Sequence, residues 1–484
     1  MRATNLTLLT DLYELTMMQG YFKNPTNQTV IFDMFYRVNP CGGSFAITAG
    51  LEQMIEYIEN LHFTDDDIEY LRSLHIFEDD FLEYLRSFKF TGDIYAIPEG
   101  TVVFPREPLV KVIAPIMEAQ LVETAILNII NHQSLIATKA ARVCYAARGD
   151  GIMEFGLRRA QGPDAGIYGA RAAVIGGCAG TSNVLTGQMF NVPVLGTHAH
   201  SWIMSFPDEY TAFKTYAKMY PNSCTLLVDT YDVLKSGVPN AIRVFEEMRE
   251  EGVKLTHYGI RIDSGDLAYL SKEAYKMLAA AGFDDATISA SSDLDEYLID
   301  SLKTQDAKIN SWGVGTNLIT SKDNPAFGGV YKLAAVKDAD STNFTPKIKL
   351  SENVTNPGNK TVYRIYSKST GKIKADLICL ADEVFDPEET MIIFDPADTW
   401  KKTKVLGGTY ELRELLVPVI REGKRVYTSP EVMDLREYCQ KEQNTLWDES
   451  RRLVNPQKVY VDLSQKLYDL KKNLLEEMSE KALD

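Results

Sequence analysis

Residues 196–201 (GTHAHS) carry two of the chain's six histidines, His198 and His200. They follow a short apolar run, so on an extended strand end both imidazoles would project from the same side. A metal site would need a third ligand at a suitable spacing, and the sequence offers none. A structural role is the commoner one for a single histidine; otherwise the pair is suited to general acid–base catalysis or to accepting a phosphoryl group.

Residues 261–266 (RIDSGD) place an arginine and a carboxylate on one side of another strand end, because side chains alternate along a strand. Arg261 could clamp a phosphate through its planar fork of N–H donors. Asp263 could hold ribose hydroxyls or Mg²⁺. The same residue types also form purely structural ion pairs at the rim of a barrel, so both interpretations stay open here.

Two further strand ends are typical of anion binding. Residues 313–316 (GVGT) combine glycines, which let the backbone approach an oxyanion, with a following helix N-terminus. A tight turn would need the same glycines. Residues 154–159 (EFGLRR) place arginines beside Phe155, which suits a planar carboxylate that stacks on the ring and pairs with a guanidinium. Alternatively, these arginines belong to a solvated basic loop.

These motifs end a regular series of short apolar runs, each followed by a helical pattern. The candidate strands are 152–155, 192–195, 225–228, 258–262, 287–290 and 309–314, with another ending near Cys178. Strands that alternate with helices favour a parallel sheet covered on both faces, and six or seven units favour a closed or partly closed α/β barrel. The loops at the carboxyl ends of barrel strands converge, which would bring the four motifs together.

The barrel is expected to span residues 146–345, after an N-terminal α+β domain at 1–145 and before a C-terminal segment at 346–484. The C-terminal segment is predicted to form strands and then charged helices that pack back on the N-terminal domain.

The first domain opens with a predicted helix. Asp11 would be its N-cap, and Glu14 has the spacing of a capping box. Helical periodicity predicts a core-facing stripe of Leu12, Leu15, Met18 and Phe22. Tyr13 and Met17 lie off this stripe.

Composition and charge disfavour several classes of partner. The formal net charge of −16 disfavours nucleic acid and anionic membranes, because both favour basic surfaces. No apolar run is long enough to span a bilayer. The six cysteines are scattered without a C-x-x-C pair, which disfavours zinc and disulfide frameworks and favours a cytoplasmic protein. A polyphosphate substrate would have to be held by local cationic and N–H groups.

Six motifs, taken in order along the chain, resemble those of the nicotinate phosphoribosyltransferase family. They are 10–17 (TDLYELTM), 154–159 (EFGLRR), 196–201 (GTHAHS), 261–267 (RIDSGDL), 313–316 (GVGT) and 329–333 (GVYKL). The resemblance implies the type II phosphoribosyltransferase fold: an irregular α/β barrel with an additional α+β domain built from N- and C-terminal segments. It also implies a homodimer with active sites shared between subunits.

The implied reaction joins nicotinate to the ribose-5-phosphate of phosphoribosyl pyrophosphate, in NAD salvage. The resemblance implies that Tyr13 from the neighbouring subunit and Phe155 stack on opposite faces of the nicotinate ring. Arg158 and Thr197 would lie near the pyridine carboxylate. Ser182 would occupy the loop that distinguishes the acid from the amide.

The same resemblance implies that residues at the other strand ends bind the ribosyl substrate. Arg261 and Asp263 would hold the ribosyl group, and the 5′-phosphate would be bound by Gly313, Gly315 and Thr316. Mg²⁺ would act through the substrate phosphates, with Asp263 as a candidate ligand. The pyridine nitrogen is itself the nucleophile, so the reaction needs no strong base.

A histidine is thereby left for a second task. The family's phosphorylated histidine maps to His200, with ATP as co-substrate, although His198 in the same motif leaves that assignment open. The chain has no G-x-x-x-x-G-K-[ST] motif, so ATP would have to use the phosphoribosyl pyrophosphate pocket.

Other functions are weighed against this one. Nicotinamide phosphoribosyltransferase is the nearest, but its amide-selecting aspartate aligns with Ser182 here, and an aspartate would repel a carboxylate. Quinolinate phosphoribosyltransferase is shorter and needs a more basic site. A phosphosugar aldolase or isomerase would need a Schiff-base lysine or a metal cluster at a strand end, and none is evident. A non-catalytic scaffold is disfavoured by the complete set of strand-end residues.

Overall fold

The computed structural model describes residues 5–25, 27–350, 354–398 and 400–481. The chain divides into two compact units. The barrel unit comprises Ile136–Pro325 and Glu431–Glu437, and the terminal unit comprises Met1–Leu135, Ala326–Pro430 and Tyr438–Asp484. The sequence placed the two barrel boundaries at residues 145/146 and 345/346. The structure assigns residues 326–345 to the terminal unit, because the strand in this stretch pairs with the first strand of the chain.

The described part of the N-terminal segment forms five strands and six α-helices. They are α1 (Leu12–Lys23), β1 (Thr29–Tyr36), β2 (Ala46–Ile47), α2 (Leu51–Glu59), α3 (Asp65–Ser73), α4 (Asp79–Arg86), β3 (Asp93–Ala96), β4 (Val102–Val103), β5 (Val110–Pro115), α5 (Ile116–Leu121) and α6 (Glu123–Ala146). Strand β5 pairs antiparallel with both β1 and β3. Helices α2 and α4 place Met54, Ile55 and Phe81 in the same core as Val112 of β5.

Helix α1 begins after Asp11 as predicted, but the predicted capping box is wrong. Asp11 makes no side-chain cap bond. The buried Glu14 carboxylate instead accepts from the Thr10 hydroxyl and from the Thr124 N–H, at 3.0 Å in the first turn of α6. The Glu14 carboxylate therefore links the N-terminus of α1 to the N-terminus of α6, and does not form a capping box in α1.

The predicted core stripe of α1 is only partly right. Leu15 and Met18 are buried, whereas Leu12 is exposed; Phe22 is half-buried and packs against the core. Tyr13 and Met17 are exposed, as their positions off the stripe predicted.

The middle of the chain forms the parallel sheet of the barrel unit. Its elements are β6 (Gly151–Glu154), α7 (Pro163–Ile175), β7 (Gly180–Thr181), α8 (Val184–Phe190), α9 (His200–Met204), α10 (Glu209–Met219), β8 (Cys224–Leu227), α11 (Val238–Glu250), β9 (Tyr258–Ile262), α12 (Leu267–Ala280), β10 (Thr287–Ala290), α13 (Glu296–Thr304), β11 (Ser311–Val314) and α14 (Thr316–Ile319). The strand order is β7-β6-β11-β10-β9-β8, and every neighbouring pair is parallel.

Five of the predicted strands coincide with β6, β8, β9, β10 and β11. The candidate strand ending near Cys178 is wrong in its bounds, because α7 runs to Ile175 and β7 begins only at Gly180. The predicted strand at 192–195 is wrong: this segment contributes a single parallel bridge, between Thr181 and Val194. The result is a curled, half-closed sheet rather than a complete barrel. Strands β9 and β10 approach closely at Gly259, where an added Cβ would overlap the backbone of Thr287.

The C-terminal segment belongs to the terminal unit, apart from Glu431–Glu437. Its elements are β12 (Gly329–Lys337), β13 (Thr345–Pro346), β14 (Lys360–Ser367), β15 (Ile373–Leu380), β16 (Met391–Phe394), β17 (Lys402–Val405), β18 (Tyr410–Glu414), β19 (Val417–Arg421), β20 (Lys424–Arg425), α15 (Val432–Asn444), α16 (Asp448–Arg451), β21 (Tyr460–Leu463) and α17 (Gln465–Lys481). One sheet has the order β13-β12-β1-β5-β3-β19-β20, and a second has the order β17-β16-β21-β15-β14-β18.

The end of the chain is helical as predicted, except that β21 interrupts the helices and pairs parallel with β15. Because β12 pairs with β1, and β19 pairs with β3, both ends of the chain build one sheet of the terminal unit. The domain made from N- and C-terminal segments is thereby confirmed. No helix in the described ranges is both long and apolar enough to cross a bilayer.

Candidate active site

Arg261 is the hub of the polar groups at the strand ends of the barrel unit. It lies near the end of β9, and its guanidinium donates to the Thr197 hydroxyl at 2.8 Å and to the Ser291 hydroxyl at 2.9 Å. It also pairs with Asp263, its Nη2 lying 3.1 Å from Oδ1. The alternation rule had placed Arg261 and Asp263 on one side of the strand end, and the structure brings them together there.

His200 lies next to this pair, at the first residue of α9. Its Nδ1 is 3.1 Å from the Thr230 hydroxyl. Its Nε2 faces two carboxylates, 3.9 Å from Oδ1 of Asp229 and 3.8 Å from Oδ2 of Asp263. The imidazole is partly open to solvent, with a side-chain exposure of 41%, so a substrate can reach it.

Asp229 was missed by the sequence reasoning. Its carboxylate is almost wholly buried, and Oδ2 accepts from the Asp263 N–H at 3.0 Å and from the Ser264 hydroxyl at 2.6 Å. In the part of the chain that the structure describes, Oδ1 is buried without a hydrogen-bond partner. The signal was available, because Asp229 comes directly after the apolar run 225–228, just as the other site residues come after theirs.

His198 is a structural histidine. It is buried, its Nε2 accepts from the Leu227 N–H at 3.3 Å, and its ring packs edge-on against Tyr216 at 4.7 Å. Burial lowers the pKa of His198 to about 4, so the ring is neutral at physiological pH. It positions the loop beside β8 and is not open to a phosphoryl donor.

Phe155 packs closely against Gly313, at the neighbouring strand end. Phe155 follows β6, and its N–H donates to the carbonyl of Val314 at 2.8 Å. A Cβ added to Gly313 would lie 2.6 Å from the Phe155 ring, so a glycine is required there for steric reasons. Gly315 precedes the one-turn helix α14, whose first residue Thr316 is half-buried. Their predicted phosphate-binding role stays a prediction.

The other predicted site residues lie at neighbouring strand ends or outside the barrel unit. Arg158 is exposed on the 3₁₀ turn after Phe155, and the described residues give it no ion-pair partner. Ser182 is half-buried directly after β7, and its N–H donates to the Glu154 carbonyl at 3.0 Å. Tyr13 belongs to the terminal unit, where it is exposed at 45%. Partial burial and the carboxylates of Glu123 and Glu14 raise the pKa of the Tyr13 phenol.

The strand ends thus combine an arginine, two carboxylates, an accessible histidine and an aromatic face. Such a set can hold an anionic, hydroxyl-bearing substrate and can place a nucleophilic imidazole nitrogen beside it.

Comparisons with known proteins agree with this architecture. Residues 8–131 match the N-terminal domain of nicotinate phosphoribosyltransferase, residues 151–362 match the nicotinate phosphoribosyltransferase family, and residues 359–471 match the C-terminal domain. The nicotinate phosphoribosyltransferase of Bacillus subtilis is 46% identical over 488 residues, covering 98% of each chain. The human nicotinate phosphoribosyltransferase is 32% identical, covering 98% of this chain and 97% of its own.

Solved structures show the same fold. The crystal structure of human nicotinic acid phosphoribosyltransferase matches with a TM-score of 0.83 and 30% identity, covering 96% of this chain and 100% of that one. The nicotinate-nucleotide pyrophosphorylase of Pyrococcus furiosus matches with a TM-score of 0.69 and 23% identity, covering 91% and 96%, which supports the fold alone. The fold is therefore that of a type II phosphoribosyltransferase. Within that class, the chain belongs to the nicotinate phosphoribosyltransferase family.

The buried, neutral His198 predicts a pH-dependent stability. The unfolded chain binds a proton on this ring near pH 6.5, but the folded chain does so only near pH 4. Lowering the pH through this window therefore favours the unfolded state, by up to about 3 kcal/mol. Replacing the ring by His198→Gln, which can still accept from Leu227, should remove this component. Urea denaturation of both proteins between pH 7 and pH 4 measures it, because other titrating groups cancel in the difference. Equal pH slopes for the two proteins would contradict a neutral buried ring.

Proposed function

We propose that this protein transfers the ribose-5-phosphate of phosphoribosyl pyrophosphate to nicotinate, forming nicotinate mononucleotide and diphosphate in NAD salvage. The pyridine nitrogen attacks the anomeric carbon, and the bond to diphosphate breaks with its electron pair leaving on oxygen. Membership of the family supports this proposal. So does the strand-end set, whose donors and carboxylates suit a phosphorylated sugar.

The observation that carries the proposal is the arrangement of Arg261, Asp263 and His200. The guanidinium is held by Thr197, Ser291 and Asp263, so its orientation is fixed before a substrate binds. Asp263 uses Oδ1 for Arg261 and turns Oδ2 towards His200. An arginine, a carboxylate and an imidazole therefore face the same small volume, as the binding of a ribosyl phosphate and the use of ATP would both require.

We further propose that ATP phosphorylates His200 and that this step is coupled to transfer. Two carboxylate oxygens face Nε2 and would repel an incoming phosphoryl group, whereas the partner of Nδ1 is the uncharged Thr230 hydroxyl. Nδ1 is thus the favoured nucleophile: its lone pair forms a bond to the γ-phosphorus, and ADP leaves with the bridging oxygen. Hydrolysis of the phosphohistidine then releases inorganic phosphate. The carboxylates of Asp229 and Asp263 stabilise the positive charge that the ring gains.

Mg²⁺ fits this site. The buried, unpartnered Oδ1 of Asp229 and the half-exposed carboxylate of Asp263 are hard oxygen donors of the kind the ion prefers. When bound, Mg²⁺ would neutralise charge on the substrate phosphates.

Selectivity for the acid is proposed to rest on Ser182 and Arg158. A serine leaves that loop neutral, and the exposed arginine on the neighbouring strand end is a cation without an ion-pair partner in the described ranges. Phe155 would supply the stacking face. The phosphate of the ribosyl group would lie against Gly313, Gly315 and Thr316.

We also propose that the active unit is a homodimer in the cytoplasm, with Tyr13 entering the neighbouring subunit's site. Support comes from the surface of α1, where Leu12, Tyr13 and Met17 are all exposed. Apolar and aromatic side chains gathered on one helix surface are typical of a contact with another chain.

His200 should become labelled when the protein is incubated with γ-labelled ATP and Mg²⁺. The label should be acid-labile and base-stable, and it should map to His200, with ³¹P NMR of the peptide reporting attachment to Nδ1. His200→Ala should lose both the label and the stimulation of transfer by ATP, while slow ATP-independent transfer survives because the pyridine nitrogen is the nucleophile. His198→Gln is the matched control and should keep label and stimulation. Label on His198, or an ATP-stimulated enzyme with no labelled histidine, would contradict the proposal.

Shared sites can be tested by mixing two variants that should each lack ATP-stimulated transfer, Tyr13→Ala and His200→Ala. Each mixed dimer has one site with both residues intact, so random exchange should restore about a quarter of the wild-type ATP-stimulated activity. Tyr70→Ala, which changes another exposed tyrosine of the terminal unit, should keep this activity by itself. If mixed dimers form and show no ATP-stimulated transfer, Tyr13 does not act across the interface.

A further inference from the structure

Glu154 is the last residue of β6 and is completely buried. One oxygen of its carboxylate accepts from the backbone N–H of Gly156. The other accepts from the hydroxyl of Thr181 at 2.6 Å, while the Glu154 carbonyl accepts from the N–H of Ser182. A single side chain therefore joins the turn that presents Phe155 to the loop that presents Ser182.

The link continues beyond Thr181. The Thr181 hydroxyl also accepts from the Asn183 N–H at 3.0 Å. Asn183 caps α8 by accepting from the Thr186 N–H at 3.3 Å, and its amide donates to the carbonyl of Gly166 in α7 at 3.2 Å. The Ser182 loop is thus fixed on both sides, by Thr181 towards Glu154 and by Asn183 towards two helices.

The segment after β11 also packs against the turn that follows β6. A Cβ added to Gly156 would overlap the side chain of Ile319 in α14 and lie 2.8 Å from the Glu154 carboxylate. The turn after β6 is therefore packed against the helix that begins at Thr316. Glu154 therefore holds the turn against the Ser182 loop, and the absence of a side chain at Gly156 lets α14 approach the turn.

The choice of an acid at this position is energetically costly. Burial raises the pKa of Glu154, and the hydrogen bonds from Thr181 and Gly156 oppose the rise. The described residues give the carboxylate no cationic partner, so the two hydrogen bonds must compensate for its desolvation. An apolar side chain would fill the space at lower cost, but it could not fix the turn and the loop in one relative position.

We propose that Glu154 is a positioning residue for the pyridine substrate, holding Phe155 and Ser182 at the separation that the ring requires. This inference rests on the proposed function. Glu154 itself touches no substrate atom; it acts through the aromatic face on one side and the selectivity loop on the other. Disturbing it should affect nicotinate more than the ribosyl substrate, because the hydrogen bonds of Glu154 go to Gly156, Thr181 and Ser182, whereas Arg261 and Asp263 lie on and directly after β9.

The test compares steady-state kinetics of Glu154→Ala and Glu154→Gln with the wild type. Glu154→Ala should raise the KM for nicotinate about tenfold, and leave the KM for phosphoribosyl pyrophosphate and the labelling of His200 within about twofold. Glu154→Gln should recover most of the nicotinate KM, because its amide can accept from Gly156 and donate to Thr181.

Asp150→Ala is the matched control at the other end of the same strand. Asp150 precedes β6, and its carboxylate accepts from Lys303 at 2.7 Å and from the Trp312 indole at 2.9 Å. Its loss should lower the free energy of unfolding without shifting the nicotinate KM. If Glu154→Ala does not fold, Thr181→Val carries the test: it should raise the nicotinate KM, whereas Thr181→Ser, which keeps the hydroxyl, should not.

The outcomes separate the two proposals. A wild-type protein that forms no nicotinate mononucleotide overturns the proposed function. An active wild type whose nicotinate KM responds equally to Glu154→Ala and Asp150→Ala overturns the positioning role alone. So does a Glu154→Ala variant whose two KM values rise by the same factor, or a Thr181→Val variant that behaves like Thr181→Ser.

Discussion

An arginine and two carboxylates share a small space at the ends of β8 and β9, and the rest of the site depends on how they share it. One carboxylate oxygen of Asp229 accepts hydrogen bonds from the Asp263 N–H and from the Ser264 hydroxyl, and these bonds fix the loop after β9. Asp263 can then turn one oxygen to Arg261 and the other to His200. If Asp229 were lost, the loop that carries the Asp263 carboxylate would lose two of the hydrogen bonds that fix it.

The charged groups at these strand ends also bear on how a chain with a net charge of −16 could bind an anionic substrate. A chain of this charge repels polyphosphates at long range, so any attraction must be local. Arg261 is the cation of this cluster, with a side-chain exposure of 18%. Two hydroxyls and the Asp263 carboxylate orient the guanidinium, and the ion pair with Asp263 offsets part of its charge. Attraction of a polyphosphate would therefore need the proposed Mg²⁺ and local backbone N–H groups as well as Arg261.

Most strands of the parallel sheet, and part of the candidate site, could be predicted from the sequence. The near-continuous apolar runs of the parallel strands located β6, β8, β9, β10 and β11, and side-chain alternation placed Arg261 beside Asp263. The segment at 192–195 looked equally apolar but makes only one bridge, because pairing depends on neighbouring strands that a local pattern does not contain.

The failures concern long-range partners. Glu14 has the spacing of a capping box, yet it bonds to Thr124, more than a hundred residues later. The resemblance assigned the phosphorylated histidine to His200 but left His198 open, and the structure separates the two by the burial of His198 against Tyr216. The steric need for a glycine at 313, set by the ring of Phe155, also depends on a distant partner, and the predicted phosphate-binding role of Gly313 stays a prediction. Asp229 could have been found from its place directly after an apolar run.

Residues at the strand ends of the barrel unit are proposed to catalyse the transfer of a ribosyl phosphate to a pyridine acid, with the help of ATP. Product analysis tests this central proposal most directly. The protein is incubated with Mg²⁺, phosphoribosyl pyrophosphate and either nicotinate or nicotinamide, with and without ATP. We expect nicotinate mononucleotide as the product, faster formation with ATP, release of inorganic phosphate alongside it, and little product from nicotinamide. Preferential use of nicotinamide, or no mononucleotide from either ring, would contradict the proposal.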